Sequence, residues 1–164
     1  MKKPFKKLMA ALLAVALLCA MAVPAFAAEG ASGSITIDKA INGETYTAYK
    51  IFDVVSSKVE TDDSKTYVYM VANGWANFFE QNDVRGYVTV DKNGQPTWIE
   101  GKKSDTDLQA FAKLALTYAS TNGITGKTAT AAGNQAVING LAAGYYVVST
   151  TAGSLCVLNT NCLL

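Results

Sequence analysis

The chain has no histidine, only three prolines and three cysteines, and not one aspartate or glutamate beyond Asp107. Without imidazole, Ser-His-Asp and Cys-His nucleophile relays and every His-ligated metal site are excluded. A phosphate-cradling loop is missing as well. Gly126-Lys127-Thr128 mimics the end of the G-x-x-x-x-G-K-[ST] pattern, but Gly123 to Lys127 lacks its spacing. The carboxylates that could serve as general acids or bases are Asp62 with Asp63, in a loop, and Asp105 with Asp107, at a helix start. Solvation and helix capping account for both pairs. The chain reads as a non-enzyme that needs no cofactor, and its carboxylate-free last third must draw solubility from Thr, Ser and Asn.

Basic residues cluster only at the start. Lys2, Lys3, Lys6 and Lys7 precede an uncharged apolar run from Leu8 to Val23, then Pro24, then Ala25-Phe26-Ala27 with alanine at both recognition positions of a cleavage site. Residues 1–27 are therefore expected to be a secretory signal peptide. The run is long enough to span a bilayer, but the helix-breaking proline and the A-x-A signal favour removal. Cys19 leaves with it, since Leu18 is too bulky for a lipid-attachment site.

Cleavage leaves ten Lys and Arg against thirteen Asp and Glu, so the mature 137 residues carry −3 rather than the +1 of the whole chain. Mild acidity without a basic cluster argues against nucleic acid as a partner. No second apolar segment approaches membrane-spanning length. The mature chain fits one domain with a usable core, outside the cytoplasm, secreted or on the cell surface. In that compartment Cys156 and Cys162 could form a disulfide. The competing reading makes Cys156 a small buried hydrophobe within Leu155-Cys156-Val157-Leu158.

Residues 28–33 read as a flexible mature N-terminus. Ser34 to Asp38 alternates polar and apolar as a half-buried strand does. Asn42-Gly43 marks a turn into Thr45 to Val55, rich in aromatic and β-branched residues and the longest strand candidate. Ser56 to Ser64 reads as an exposed loop or hairpin tip, followed by a strand from Thr66 to Val71. Trp75, Phe78 and Phe79 have helical spacing. Tyr87 to Val90 and Thr97 to Ile99 flank Lys92-Asn93-Gly94-Gln95 as a hairpin. Ser104 and Asp107 open the clearest helix, with Leu108, Phe111, Ala112, Ala115, Tyr118 and Ala119 on one face, ended by Asn122-Gly123. Gly123 to Gln135 lacks hydrophobic periodicity and reads as a loop. Ala136 to Ile138, Gly144 to Thr150 and Leu155 to Leu158 read as strands. Strands outnumber helices without βαβ alternation, which predicts a mainly antiparallel β-sandwich with one or two inserted helices.

Two blocks carry a resemblance. Gly33-Ser34-Ile35-Thr36-Ile37 followed by Tyr46-x-Ala48-Tyr49-Lys50-Ile51-Phe52-Asp53, and later Gly140-Leu141-x-x-Gly144-Tyr145-Tyr146-Val147-Val148-Ser149-Thr150, resemble the N-terminal domain of sortase-assembled pilin (fimbrial) subunits of Gram-positive bacteria. The resemblance implies a prealbumin-like or immunoglobulin-like β-sandwich over residues 34–158, a structural role in a cell-wall fibre, and other pilin subunits and sortase as partners of a full-length parent. It also implies a pilin-motif lysine, further domains and an L-P-x-T-G signal. None of these occurs in the sequence, so residues 159–164 are expected to be a tail cut short. The alternative is a free secreted binding module for host matrix or glycan.

A further implication of the resemblance is an internal amide bond from a lysine held neutral in a dry core. Lys50 is the candidate, because on a regular strand it shares an otherwise mostly apolar face with Tyr46, Ala48, Phe52 and Val54. Asn139, Asn159 and Asn161 are candidate partners, with Asp53 or Glu44 as the nearby acid. The bland reading is a bulged strand, or a lysine stem that snorkels to an edge. The tyrosines, which could form a glycan surface, fit core packing and cross-strand pairing better.

Overall fold

The computed structural model describes residues 33–59, 65–151 and 155–159. In chain order these form β1 (Gly33–Asp38), β2 (Thr45–Val59), β3 (Lys65–Val71), α1 (Ala76–Phe79), β4 (Val88–Val90), β5 (Pro96–Trp98), α2 (Asp105–Thr121), β6 (Lys127–Thr130), β7 (Gln135–Leu141), β8 (Gly144–Thr150) and β9 (Leu155–Asn159). The described ladders are all antiparallel. The fold is the expected one, a mainly β antiparallel sandwich with two inserted helices.

β2 organises the main sheet. One of its edges takes β6 along Thr45 to Ala48 and β3 from Phe52 onward. The other takes β8, from Tyr46 opposite Thr150 to Asp53 opposite Gly144, and β9 extends the sheet beyond β8. Strand alternation puts Tyr46 and Ala48 on one face and Tyr49 and Ile51 on the other. The register with β8 then slips between Lys50 and Phe52. Ile51 is the extra residue of a bulge, and Ile51 and Phe52 are both buried in the same core.

Each face of this sheet closes a core. On one face the two-stranded β1–β7 sheet packs Ile35, Ala136, Ile138 and Leu141 over Tyr46, Ala48, Tyr146 and Val148. On the other, α1, α2 and the β4–β5 hairpin pack on Ile51, Phe52 and Val147. The second core is rich in aromatics. The Phe78 ring lies between 5.0 and 5.7 Å from the rings of Phe79, Tyr118, Trp75 and Phe111. Burying each such side chain contributes about 1.5–3 kcal/mol, and each well-oriented ring pair adds about 0.5–1.5 kcal/mol.

α2 starts where its sequence requires. Ser104 has extended backbone and its Oγ accepts the Asp107 N–H at 3.2 Å, satisfying one of the helix's orphan donors. The Ser104 hydroxyl in turn holds the Asp107 carboxyl below its ordinary range, with Lys102 helping. Phe111, Ala112, Ala115, Tyr118 and Ala119 are buried as their spacing predicts. The Tyr118 hydroxyl donates to the Gly74 carbonyl at 3.2 Å, tying the helix to the turn before α1.

Two local expectations change. β2 runs through Ser56 to Val59 and β3 begins at Lys65, so part of the stretch read as a loop is strand. β6 lies inside the Thr/Ala/Gly-rich segment also read as a loop. Its residues are exposed or half-buried, so no hydrophobic alternation announces it; backbone pairing to β2 holds it. The segment 1–27 read as a signal peptide, residues 28–32 of the expected mature N-terminus and the tail beyond Asn159 lie outside the described residues. Among the described residues no helix is long and apolar enough to cross a membrane.

Candidate functional site

Lys50 sits where the β2 ladder slips. The bulge carries Phe52 away from the face Lys50 would otherwise share with it. The lysine stem passes over Gly144, close enough that a Cβ built there would lie 2.8 Å from Lys50 Cδ and 2.5 Å from the Phe52 carbonyl oxygen. At the end of the stem the ammonium meets the Asp53 carboxylate, and the two side chains are 30% and 38% exposed. The stem is covered and the charged head stays wet. Opposite Lys50 lies Tyr146, whose phenol is pushed up to about 12, first by burial and then by the Asp53 charge. The neighbouring Tyr145 is raised to about 12 by burial and by Tyr69.

The other groups named for an amide bond are dispersed. Asn139 is exposed and stands opposite Ser34 in the β1–β7 sheet. Asn159 stands opposite Tyr145 at the end of β9. Glu44 is engaged by the Thr151 hydroxyl, away from Lys50. Asn161 and Cys162 lie outside the described residues. Cys156 stands opposite Val148 in the β8–β9 ladder, and the Cys156–Cys162 disulfide falls outside what is described.

Several clefts open on the helical side among the described residues. A groove of about 610 Å³ runs between α2 and residues 81–87, lined by Gln81, Asp83, Tyr87, Lys113, Thr117 and Asn122, with Leu114 and Tyr118 among its apolar contacts. A smaller cleft of about 280 Å³ is walled by Phe52, Tyr69, Pro96, Trp98 and Tyr145, with Lys103 alongside. Amide, carboxylate and hydroxyl groups beside an aromatic face can hydrogen-bond a polar ring and cover its apolar side. Among the described residues no group of three metal-ligating side chains assembles.

No family model and no curated protein matches the chain. Its functional reading therefore rests on its own residues and their placement. The groove was not visible in the sequence, because its walls come from segments some thirty residues apart that only the packing of α2 brings together. Asp83, Gln81 and Asn122 carry no spacing signal that would have singled them out.

Proposed function

We propose that this protein is a structural cell-surface component: the N-terminal sandwich domain of a fimbrial shaft subunit, serving surface-fibre assembly and adhesion, with other pilin subunits and sortase as partners of its full-length parent. One observation carries the reading. The Tyr46–Asp53 and Gly144–Thr150 stretches of the pilin resemblance, nearly a hundred residues apart in sequence, are paired neighbours in the main sheet, from Tyr46 opposite Thr150 to Asp53 opposite Gly144. The residues of the resemblance are thus the framework of one sandwich. An antiserum raised against the purified domain tests the proposal on cell-wall fractions of the producing bacterium. Fibre assembly gives a ladder of covalent species that survives boiling in detergent and disappears when the sortase is inactivated. A single band confined to the culture medium overturns it.

A second reading, a free secreted module that binds host matrix or glycan, draws support from the groove beside α2, where amide and carboxylate groups stand next to Tyr87. Binding of the purified protein to immobilised matrix proteins and oligosaccharides, abolished by Asp83→Ala or Tyr87→Ala, distinguishes this reading. A surface shown to bind none of these panels would remove it.

A further inference from the structure

The chain carries five Asn-Gly pairs, at 42–43, 73–74, 93–94, 122–123 and 139–140. All five glycines have positive φ, between 65° and 85°. As turn formers they are alike, since glycine reaches that backbone region without steric cost. Their side-chain environments differ.

Asn42 Oδ1 accepts the Gly133 N–H at 2.8 Å, while the Gly43 N–H donates to the Ala131 carbonyl at 3.0 Å. Asn93 Nδ2 donates to Asp91 Oδ2 at 3.3 Å, while the Gly94 N–H donates to the Asp91 carbonyl at 3.0 Å. In both pairs the amide and the following N–H are held. Asn122 Nδ2 donates to the Tyr118 carbonyl at 2.9 Å, so its amide alone is tied. Asn73 and Asn139 are exposed, and neither side chain has a hydrogen-bond partner among the described residues. Gly74 lies in a turn, and Gly140 is the residue skipped where the β1–β7 register shifts.

We propose that Asn73 and Asn139 are sites of spontaneous deamidation, and that the turns around Asn42 and Asn93 protect those two residues from it. The chemistry needs only water and base. The glycine nitrogen gives up its proton to solvent base and attacks Asn Cγ, forming the ring C–N bond. The Cγ–Nδ2 bond breaks and ammonia leaves, giving a succinimide. Water then opens the ring at either carbonyl to yield aspartate or isoaspartate. Glycine places no Cβ beside the attacking nitrogen. A hydrogen bond on the amide keeps Cγ from turning toward that nitrogen, and a bond on the glycine N–H keeps its proton engaged. Each event exchanges a neutral amide for a carboxylate. At Asn139 it creates the first acidic side chain beyond Asp107. The inference is independent of the pilus reading.

The test incubates the mature protein at mildly alkaline pH and physiological temperature, with a urea-denatured sample alongside. Each of the five sites is followed by peptide mass spectrometry, as the mass gained when an amide becomes a carboxyl. In the folded protein Asn73 and Asn139 are expected to convert at least about tenfold faster than Asn42 and Asn93, because two hydrogen bonds must open at each protected site. Asn122, with one bond, falls between. In urea the five converge to within a few-fold. Asn139→Gln removes conversion at that site and leaves Asn73 unchanged. Conversion of Asn42 or Asn93 as fast as Asn73 and Asn139 in the folded protein overturns the proposal. So does a folded protein inert at Asn73 and Asn139 while the denatured chain reacts. Reaction at only one of these two sites overturns the assignment for the other.

Discussion

Gly144→Ala tests the packing of the sheet at its most crowded point. A Cβ at this position would lie 2.5 Å from the Phe52 carbonyl oxygen, 2.8 Å from Lys50 Cδ and 3.1 Å from Lys50 Cγ. The nearest contact is far inside ordinary van der Waals distance, and the carbonyl belongs to the bulged backbone of β2. β8 cannot retreat without loosening the ladder that joins it to β2. Overpacking costs about 1–3 kcal/mol in general, and a clash with main chain places this substitution near the top, at ~2–3 kcal/mol. For a domain of this size that lowers the midpoint of thermal unfolding by roughly 8–12 °C. Circular dichroism melting of the mature protein measures it. Adding Lys50→Ala removes the contacts with the flexible stem and leaves the carbonyl in place, so the double variant should recover less than half of the loss. Gly133→Ala, where no atom lies within 4 Å but φ is 64°, isolates the backbone cost at ~1 kcal/mol. A Gly144→Ala protein that melts within about 2 °C of wild type refutes the packing argument.

Three further outcomes follow from the cores and the Lys50 site. Phe111 is fully buried, with the rings of Phe78, Phe79, Tyr87 and Trp98 between 5.0 and 6.4 Å away; Phe111→Ala should cost about 3–5 kcal/mol in urea unfolding. Tyr145 and Tyr146 keep their protons up to about 12 when folded, whereas an unfolded tyrosine ionises near 10. Their stabilisation is full below about pH 10 and is lost as pH rises toward about 12, because the unfolded chain there binds fewer protons. Allowing for partial solvent exposure, the two together amount to roughly 3 kcal/mol, and urea midpoints that stay flat across that window contradict the assignment. At Lys50 the side chain is 30% exposed and paired with the Asp53 carboxylate, which is not the dry core that amide formation requires. Intact mass of the mature protein should equal the value calculated from sequence, and a deficit of one ammonia or one water that vanishes in Lys50→Ala would show the bond instead.

The sequence discloses what local chemistry decides. The Ser104 cap, the apolar stripe of α2, the Asn93-Gly94 hairpin and the strands flanking Gly144 are all legible because propensity, turn chemistry and burial agree there. β6 is hidden because it is an exposed Lys-Thr-Ala-Thr segment held by backbone bonds to β2. The bulge at Ile51 is hidden for a different reason. Tyr49-Lys50-Ile51-Phe52 fits a regular strand as well as a bulged one, and the choice falls to two cores competing for the same strand from opposite faces. The groove beside α2 and the unequal Asn-Gly pairs depend on partners remote in sequence. Asn42 is held by Gly133, whereas the Asn73 side chain has no hydrogen-bond partner among the described residues, although both are written with the same two letters.

The order of the strands also bears on how such a chain can be delivered. Asp38 of β1 meets Gln135 of β7 across 97 residues, and Thr45 meets Thr151 across 106. A chain threaded end-first through a narrow channel emerges with β1 unpaired and with β2 able to bond only its hairpin neighbour β3. Neither core can close until β7 and β8 arrive. Such late, long-range closure makes folding slow relative to helical bundles, and it keeps the leading half pliable for as long as threading lasts. During that interval the apolar strand β2 is open along one edge, where another chain could dock. A chain exported in this way would need protection from its own kind until β7 and β8 arrive.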